Sequence, residues 1–311
     1  MDLAASLRRP ALSPLSPLAR QRLLFAVLCL VWGTTWLAMK IGVAAVPPAF
    51  FSGTRWATAG LVLLLWRRAQ GHPLRIPHHA LPRLLAAALL LIALNATIQL
   101  YGLRYVDSGL AAVISAALTP ISLLGFSVAL GQERFSRAQA GAIALGVIGI
   151  LFLFGRKALA GQLQASELLG AGGVVVGCLC YSFGSVLARP LMRSLSPADV
   201  AGATNLIGGL VLLVLSLAFE PGARTALAGQ WGFAAWSAWL FLLLPGSLGA
   251  TIIYFFLMRD WGASRTGSYA FVSPIISVLL GMVVLGEQVG PFEVFGMLLM
   301  LAAAGIVLRW R

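Results

Sequence analysis

Ten apolar stretches, each close to the length of one bilayer crossing, occupy most of this chain: 22–46, 48–66, 82–103, 108–130, 137–155, 167–188, 197–219, 232–257, 264–285 and 291–308. A helix rising roughly 1.5 Å per residue needs about 20 apolar residues to cross a hydrocarbon core about 30 Å thick. No period-two alternation competes, which argues against a membrane β-barrel. Only 10% of the residues are charged and 60% are hydrophobic, whereas a soluble domain carries about 25% charge. The expected fold is therefore an all-α integral membrane protein with ten transmembrane helices.

The charges that remain set the orientation. The formal charge is +13, but the basic residues punctuate the joints between apolar runs instead of forming the contiguous patch of a nucleic-acid binder. They are suited to anionic lipid headgroups. Basic loops stay cytoplasmic. With the N-terminus inside, the inner loops and tails collect sixteen Lys and Arg residues, from Arg8 to Arg311, and the outer loops only Arg104, Arg156, Lys157 and Arg224. Both termini are expected in the cytoplasm of a bacterial-type inner membrane. Residues 1–21 hold Arg8, Arg9 and Arg20 with several prolines and no run suited to a signal peptide, and read as a cytoplasmic tail.

The chain also repeats itself. PAFFSGTRWATAGLVLL from Pro48 aligns with PADVAGATNLIGGLVLL from Pro197 at an offset of 149, with eight of seventeen positions identical, among them Gly53/Gly202 and Gly60/Gly209. The same offset pairs Trp32 with Tyr181 and Lys40 with Arg189. An offset of 154 pairs Pro120 with Pro274 and Glu133 with Glu287. Residues 22–155 form one five-helix unit, 156–166 connect, and 167–311 form the second. Five is odd, so the second unit enters from the opposite face. Two inverted five-helix repeats around a central cavity are a recurring plan of alternating-access transporters.

These residues carry a family resemblance. WGTTWLAMKIG, VPPAFFSGTRWATAGLVLL, GLRYVDSGLAAVISAALTPI and GQERFSRAQAGAIALGVIGILFL, in that order, resemble the ten-helix EamA-type branch of the drug/metabolite transporter superfamily over residues 22 to 309. The resemblance implies a helical carrier of small metabolites, with amino acid exporters, including exporters of aromatic amino acids, among the bacterial members.

Candidate binding residues follow from polar or aromatic groups placed deep in apolar helices. Trp32, Trp36 and Lys40 are four apart and so share one helical face. Two wide aromatic surfaces with a cation at the rim suit a ligand with an apolar body and a carboxylate; alternatively Lys40 snorkels to the outer surface. Asn95 and Gln99 must face protein or water, lining a cavity or bonding across helices. Tyr269, Ser273 and Ser277 make a stripe beside Pro274, repeated as Ser115, Thr119 and Pro120. Tyr181 and Tyr254 complete the ring. Arg55 lies deep in the second apolar run with no acid at similar depth; carbonyls at a helix C-terminus could hold it, and the resemblance, which implies an arginine in the second helix of such carriers, gives it a structural role. Glu133, which Arg134 or Arg137 can neutralise, and Glu287 close the ends of helices four and nine, as gatekeepers at the two faces or, the preferred reading, as helix-end packing.

Absences shape the expected mechanism. The nine acids lie in tails, loops or near helix ends, and His72, His78 and His79 share one loop, which leaves no buried proton relay of the kind a proton-coupled pump uses. Facilitated diffusion or exchange is expected, with no cofactor and no metal. Cys29, Cys178 and Cys180 read as packing thiols. No carboxylate pair or nucleophile with its base points to an enzyme, and no Walker A motif to ATP. The expected partners are a small-molecule substrate and membrane lipid, with no nucleic acid, and the chain is expected to act as a monomer. Two alternatives share the fold: an exporter of amphipathic drugs, and a translocator of sugar phosphates. The latter needs convergent basic groups.

Overall fold

A computed structural model describes residues 16–72, 75–102, 105, 108–159, 165–285 and 290–309. Among these residues the chain is helical, with no strand. In chain order the helices are α1 (Pro17–Ala45), α2 (Pro48–Ala69), α3 (Leu81–Ala88), α4 (Asn95–Gly102), α5 (Ser108–Ala129), α6 (Arg137–Leu159), α7 (Ala165–Ala188), α8 (Pro197–Phe219), α9 (Ala223–Ala226), α10 (Gly232–Phe241), α11 (Thr251–Trp261), α12 (Ala263–Gly267), α13 (Tyr269–Leu285) and α14 (Pro291–Arg309). Two π-helical segments, Leu89–Leu94 and Leu242–Ala250, join α3 to α4 and α10 to α11. By length and apolar composition, five helical runs among the described residues are long enough to cross a membrane: His78–Gln99, Ala165–Arg193, Pro197–Phe219, Gly232–Trp261 and Pro291–Arg309. Leu169, Phe219, Phe233 and Val283 stand exposed on the outside, the surface that lipid would cover. The protein is a multi-pass membrane protein.

Local chemistry sets the helix starts. Ser16 accepts a bond from the Ala19 amide and Pro17 follows at the first helical position, so α1 begins before residue 22, the start expected from hydropathy. Ser196 and Asp199 form a reciprocal capping box at α8, again with proline at the first position. At α2 the cap comes from far along the chain: the Glu220 carboxylate accepts from the amides of Ala49 and Phe50, each at 2.9 Å. That is a carboxylate placed where the unpaired amides and the helix dipole favour negative charge.

The helix α2 lies along α8, and α6 along α14. At the first of these contacts a Cβ on Gly53 would stand 2.8 Å from the Leu213 nitrogen, and one on Gly202 would stand 2.8 Å from Leu64. Gly60 likewise abuts the backbone at Leu206, and Gly209 that at Ala57. Residue numbers fall on α8 as they rise on α2, so the pair is antiparallel, and the four glycines let the two backbones touch. Replacing Gly209 by alanine should lower stability by about 1–3 kcal/mol through overpacking. Gly305→Ala, where an added Cβ meets nothing within 4 Å, should leave the melting temperature of the detergent-solubilised protein unchanged.

Elsewhere α1 packs on α13 and α10, α7 on α5 and α4, segment 89–94 on α8, and segment 242–250 on α2. The contact of α1 with α13 is stitched by Ser273 and Ser277, whose hydroxyls donate to the carbonyls of Cys29 (3.3 Å) and Gly33 (2.6 Å). At α5 and α7 the matching contact is a bond between the hydroxyls of Ser122 and Ser182, at 2.7 Å.

Candidate functional site

A cavity of about 310 Å³ lies among α1, α2, α4, α5, α7, α8, α11, α13 and the two π segments. Small-molecule sites typically run from about 300 to 1,000 Å³, so this one suits a compact ligand. π-Helical turns widen a helix locally and concentrate at functional sites, and here Leu91 and Ile92 from one, with Leu242 and Gly246 from the other, line the wall. Pro245 deprives the second segment of one backbone donor, and the Thr251 hydroxyl reaches the Gly246 carbonyl at 3.4 Å.

One end of the cavity is aromatic. The Trp32 ring stands 4.6 Å from that of Tyr269, edge to face, and 5.2 Å from that of Tyr254. Tyr269 donates to the Tyr181 hydroxyl at 3.2 Å, and Tyr254 to Ser185 at 2.7 Å. The four residues thus come from four helices, α1, α7, α11 and α13. Each tyrosine oxygen has a partner, as a buried phenol requires.

Polar groups line the rest. Of the residues singled out from the sequence, Trp32, Asn95, Gln99, Ser115, Thr119, Tyr181, Tyr254, Tyr269 and Ser273 line this cavity; the side chains of Trp36 and Lys40 lie outside the described residues, as does Glu287. Several of the polar groups are already engaged. Thr119 donates to the Ser115 carbonyl at 2.7 Å, Asn95 to the Leu91 carbonyl at 3.3 Å, and Gln99 to the Cys178 sulfur at 3.6 Å. The Asn95 amide oxygen is buried with no protein partner. Cys178, expected to be a packing thiol, also borders the cavity, while Ser277 is bonded to α1 and lies outside its wall.

The main departure from the expected site is Arg55. It is 5% exposed and lines the cavity. Among the described residues no helix-end carbonyl holds it. Its Nη1 donates to the Ser247 hydroxyl at 2.9 Å, its guanidinium carbon sits 4.3 Å from the Trp56 ring centre, and its Nε is buried without a partner. Asn205, fully buried on α8, donates to the Ser247 carbonyl at 3.3 Å. Ser52, Thr204 and Asn205 also line the wall and were not foreseen; Asn205, an amide inside an apolar run, carried the only signal.

At the arginine-rich helix ends, polar bonds join segments far apart in the chain. Glu133 accepts from the amides of Ala263 (2.5 Å) and Ser264 (3.4 Å), from the Ser264 hydroxyl, and from the Ser127 hydroxyl at 3.2 Å, and Arg189 stands 3.6 Å away. Its charge partner is thus Arg189, the residue after α7, and not Arg134 or Arg137, and the amides it accepts from open α12. Gly262, at φ 87°, makes the turn before α12, where a side chain would also strike Glu133. Arg67 binds Asp199 with two parallel bonds of 3.0 and 3.2 Å, and Trp261 donates to Gln21 at 2.7 Å.

Comparison with known proteins gives a consistent picture. The profile of the EamA-like transporter family matches residues 21–155 and again 168–309. The chain is 32% identical over 270 residues to the uncharacterised inner membrane transporter YedA of Escherichia coli (strain K12), covering 87% of this chain and 84% of that one. It is 29% identical to the uncharacterised transporter YoaV of Bacillus subtilis (strain 168), covering 87% and 90%. Protein PagO of Salmonella typhimurium is 25% identical over 83% of each chain. A solved crystal structure 20% identical to this chain superposes with a TM-score of 0.74, covering 93% of this chain and 98% of its own, which speaks for a shared fold.

Proposed function

The chain belongs to the EamA-like transporter family, and from that premise we propose that it exports amino acids or similar small metabolites across a bacterial-type inner membrane by alternating access. It is a membrane transporter of small molecules and not an enzyme. The finer reading has ten spans, both termini in the cytoplasm, and halves at 22–155 and 167–311 related by inversion, acting as a monomer through facilitated diffusion or exchange.

The observation that carries this reading is reciprocity of packing. Adding 149 to Gly53 and Gly60 gives Gly202 and Gly209, and the partners exchange in the same way: Gly53 meets Leu213 while Gly202 meets Leu64. Exchanging the halves also turns the contact of α1 with α13 into that of α7 with α5, and the contact of segment 89–94 with α8 into that of segment 242–250 with α2. Such exchange fits a pseudo-twofold relation, and the antiparallel run of the equivalent helices α2 and α8 favours an axis in the membrane plane, as inverted repeats have. The nine foreseen lining residues, with their aromatic end and polar wall, form the proposed cargo site. Amphipathic drugs remain the second reading on the same cavity; sugar phosphates are disfavoured because Arg55 is the only cation among the described lining residues.

The test is counterflow into proteoliposomes loaded with unlabelled amino acids, carboxylates, amines or sugar phosphates. Uptake of a labelled amino acid or related metabolite, without an imposed pH gradient, is expected. Absolute dependence on a pH gradient, or no flux of any solute, would contradict the proposal.

A further inference from the structure

The cavity wall is electrically lopsided. Arg55 is its one cation among the described residues, and no aspartate or glutamate stands beside it there. A guanidinium withdrawn from water needs compensation, yet among the described residues Arg55 has one hydrogen bond, to a neutral hydroxyl, and one aromatic face, with Nε left over. Asn205 holds the Ser247 backbone from behind, so the serine that orients Arg55 is itself fixed. A fixed, under-compensated arginine in a small cavity is an anion receptor, and the geometry of a guanidinium matches a carboxylate best.

We infer that the cavity selects for net negative charge: its preferred cargo is a monocarboxylate with an apolar or aromatic body, bound more tightly than the amino acid of the same skeleton. The carboxylate lies against Arg55, and the body against Trp32, Tyr254 and Tyr269. An added ammonium would lose its water and meet no carboxylate among the described lining residues; the aromatic rings return only part of that loss. A phosphate dianion would bring a second charge that one guanidinium does not match. The inference rests on the cavity being the cargo site of the transporter proposed above, and it narrows that proposal to the acids among small metabolites.

The experiment is a binding series on the purified full chain in detergent, read by titration calorimetry, with 3-phenylpropanoate, phenylalanine, phenethylamine and phenyl phosphate. Expected is binding of 3-phenylpropanoate about tenfold or more tighter than phenylalanine, the worth of one charge-assisted interaction, with the amine and the phosphate weaker still. Arg55→Gln should abolish the preference and Arg55→Lys should keep its order. Equal or tighter binding of phenylalanine or phenethylamine, an unchanged order in Arg55→Gln, or no binding of any of the four overturns the inference. The ranking in the unaltered protein decides even where Arg55→Gln does not fold. Because binding is read without flux, a carrier that moves solutes with the ranking reversed defeats the inference alone, and a correct ranking without any flux defeats the transport proposal alone.

Discussion

Glu133→Ala should loosen the arginine-rich helix ends around α12 and speed amide exchange at Ala263 and Ser264. The carboxylate there serves two amides and two hydroxyls and faces Arg189. Hydrogen bonds to a charged group contribute about 1.5–3 kcal/mol each. Water can take over part of this once the carboxylate is gone, so a net loss of about 2–4 kcal/mol is expected, or roughly 30- to 700-fold in the closed–open equilibrium. Hydrogen–deuterium exchange across α12 measures that factor directly, since local opening sets the protection. Arg259→Ala is the control: its carboxylate neighbour Asp260 lies on the exposed rim, where ion pairs are worth about 0–1 kcal/mol. Equal exchange in Glu133→Ala and the unaltered protein would mean that Glu133 does not hold this end closed.

Gly246→Phe should remove transport while leaving the protein folded. Gly246 lines the cavity from the second π segment, and a Cβ there would meet, among the described residues, only the Thr35 methyl carbon, at 3.7 Å. A larger side chain is therefore aimed into a space of about 310 Å³, and a benzyl group would take the volume that cargo needs. Counterflow is expected to fall by about tenfold or more, the equivalent of at least 1.4 kcal/mol of lost cargo affinity. Gly246→Ala, which adds a single methyl, should transport nearly normally. Full activity in Gly246→Phe would place the route elsewhere.

Much of this arrangement was legible in the sequence because its signals are local or repeat at fixed offsets. Gly53/Gly202 and Gly60/Gly209 announced a repeated segment, though not that its two copies touch, and Trp32, Tyr181, Tyr254 and Tyr269 stood out as aromatic groups deep in apolar runs. What escaped was set by distant partners. For Arg55 the resemblance implied a structural role and no acid lay at its depth to suggest a partner; the bond it makes is to Ser247, 192 residues away. Glu133 looked paired with its arginine neighbours, but the turn at Gly262 brings amides 130 residues distant to it. The π segments had weak signatures at best. LLLIAL reads as ordinary helix, and only Pro245–Gly246 hinted at the other. Ser273 was read with the binding groups, and it does line the cavity, but its hydroxyl is bonded to the backbone of α1.

The account stands on a single cavity, between halves related by inversion, that opens in turn to each side of the membrane. Ser115→Cys, placed on the cavity wall in a chain whose Cys29, Cys178 and Cys180 are replaced by alanine, tests this most directly. Labelling by a membrane-impermeant maleimide is measured in right-side-out and in inside-out vesicles, with and without Glu133→Ala. The account predicts labelling from both faces, with Glu133→Ala raising the rate from the arginine-rich face and lowering it from the other. Labelling confined to one face in every case, or rising from both faces together, would contradict it.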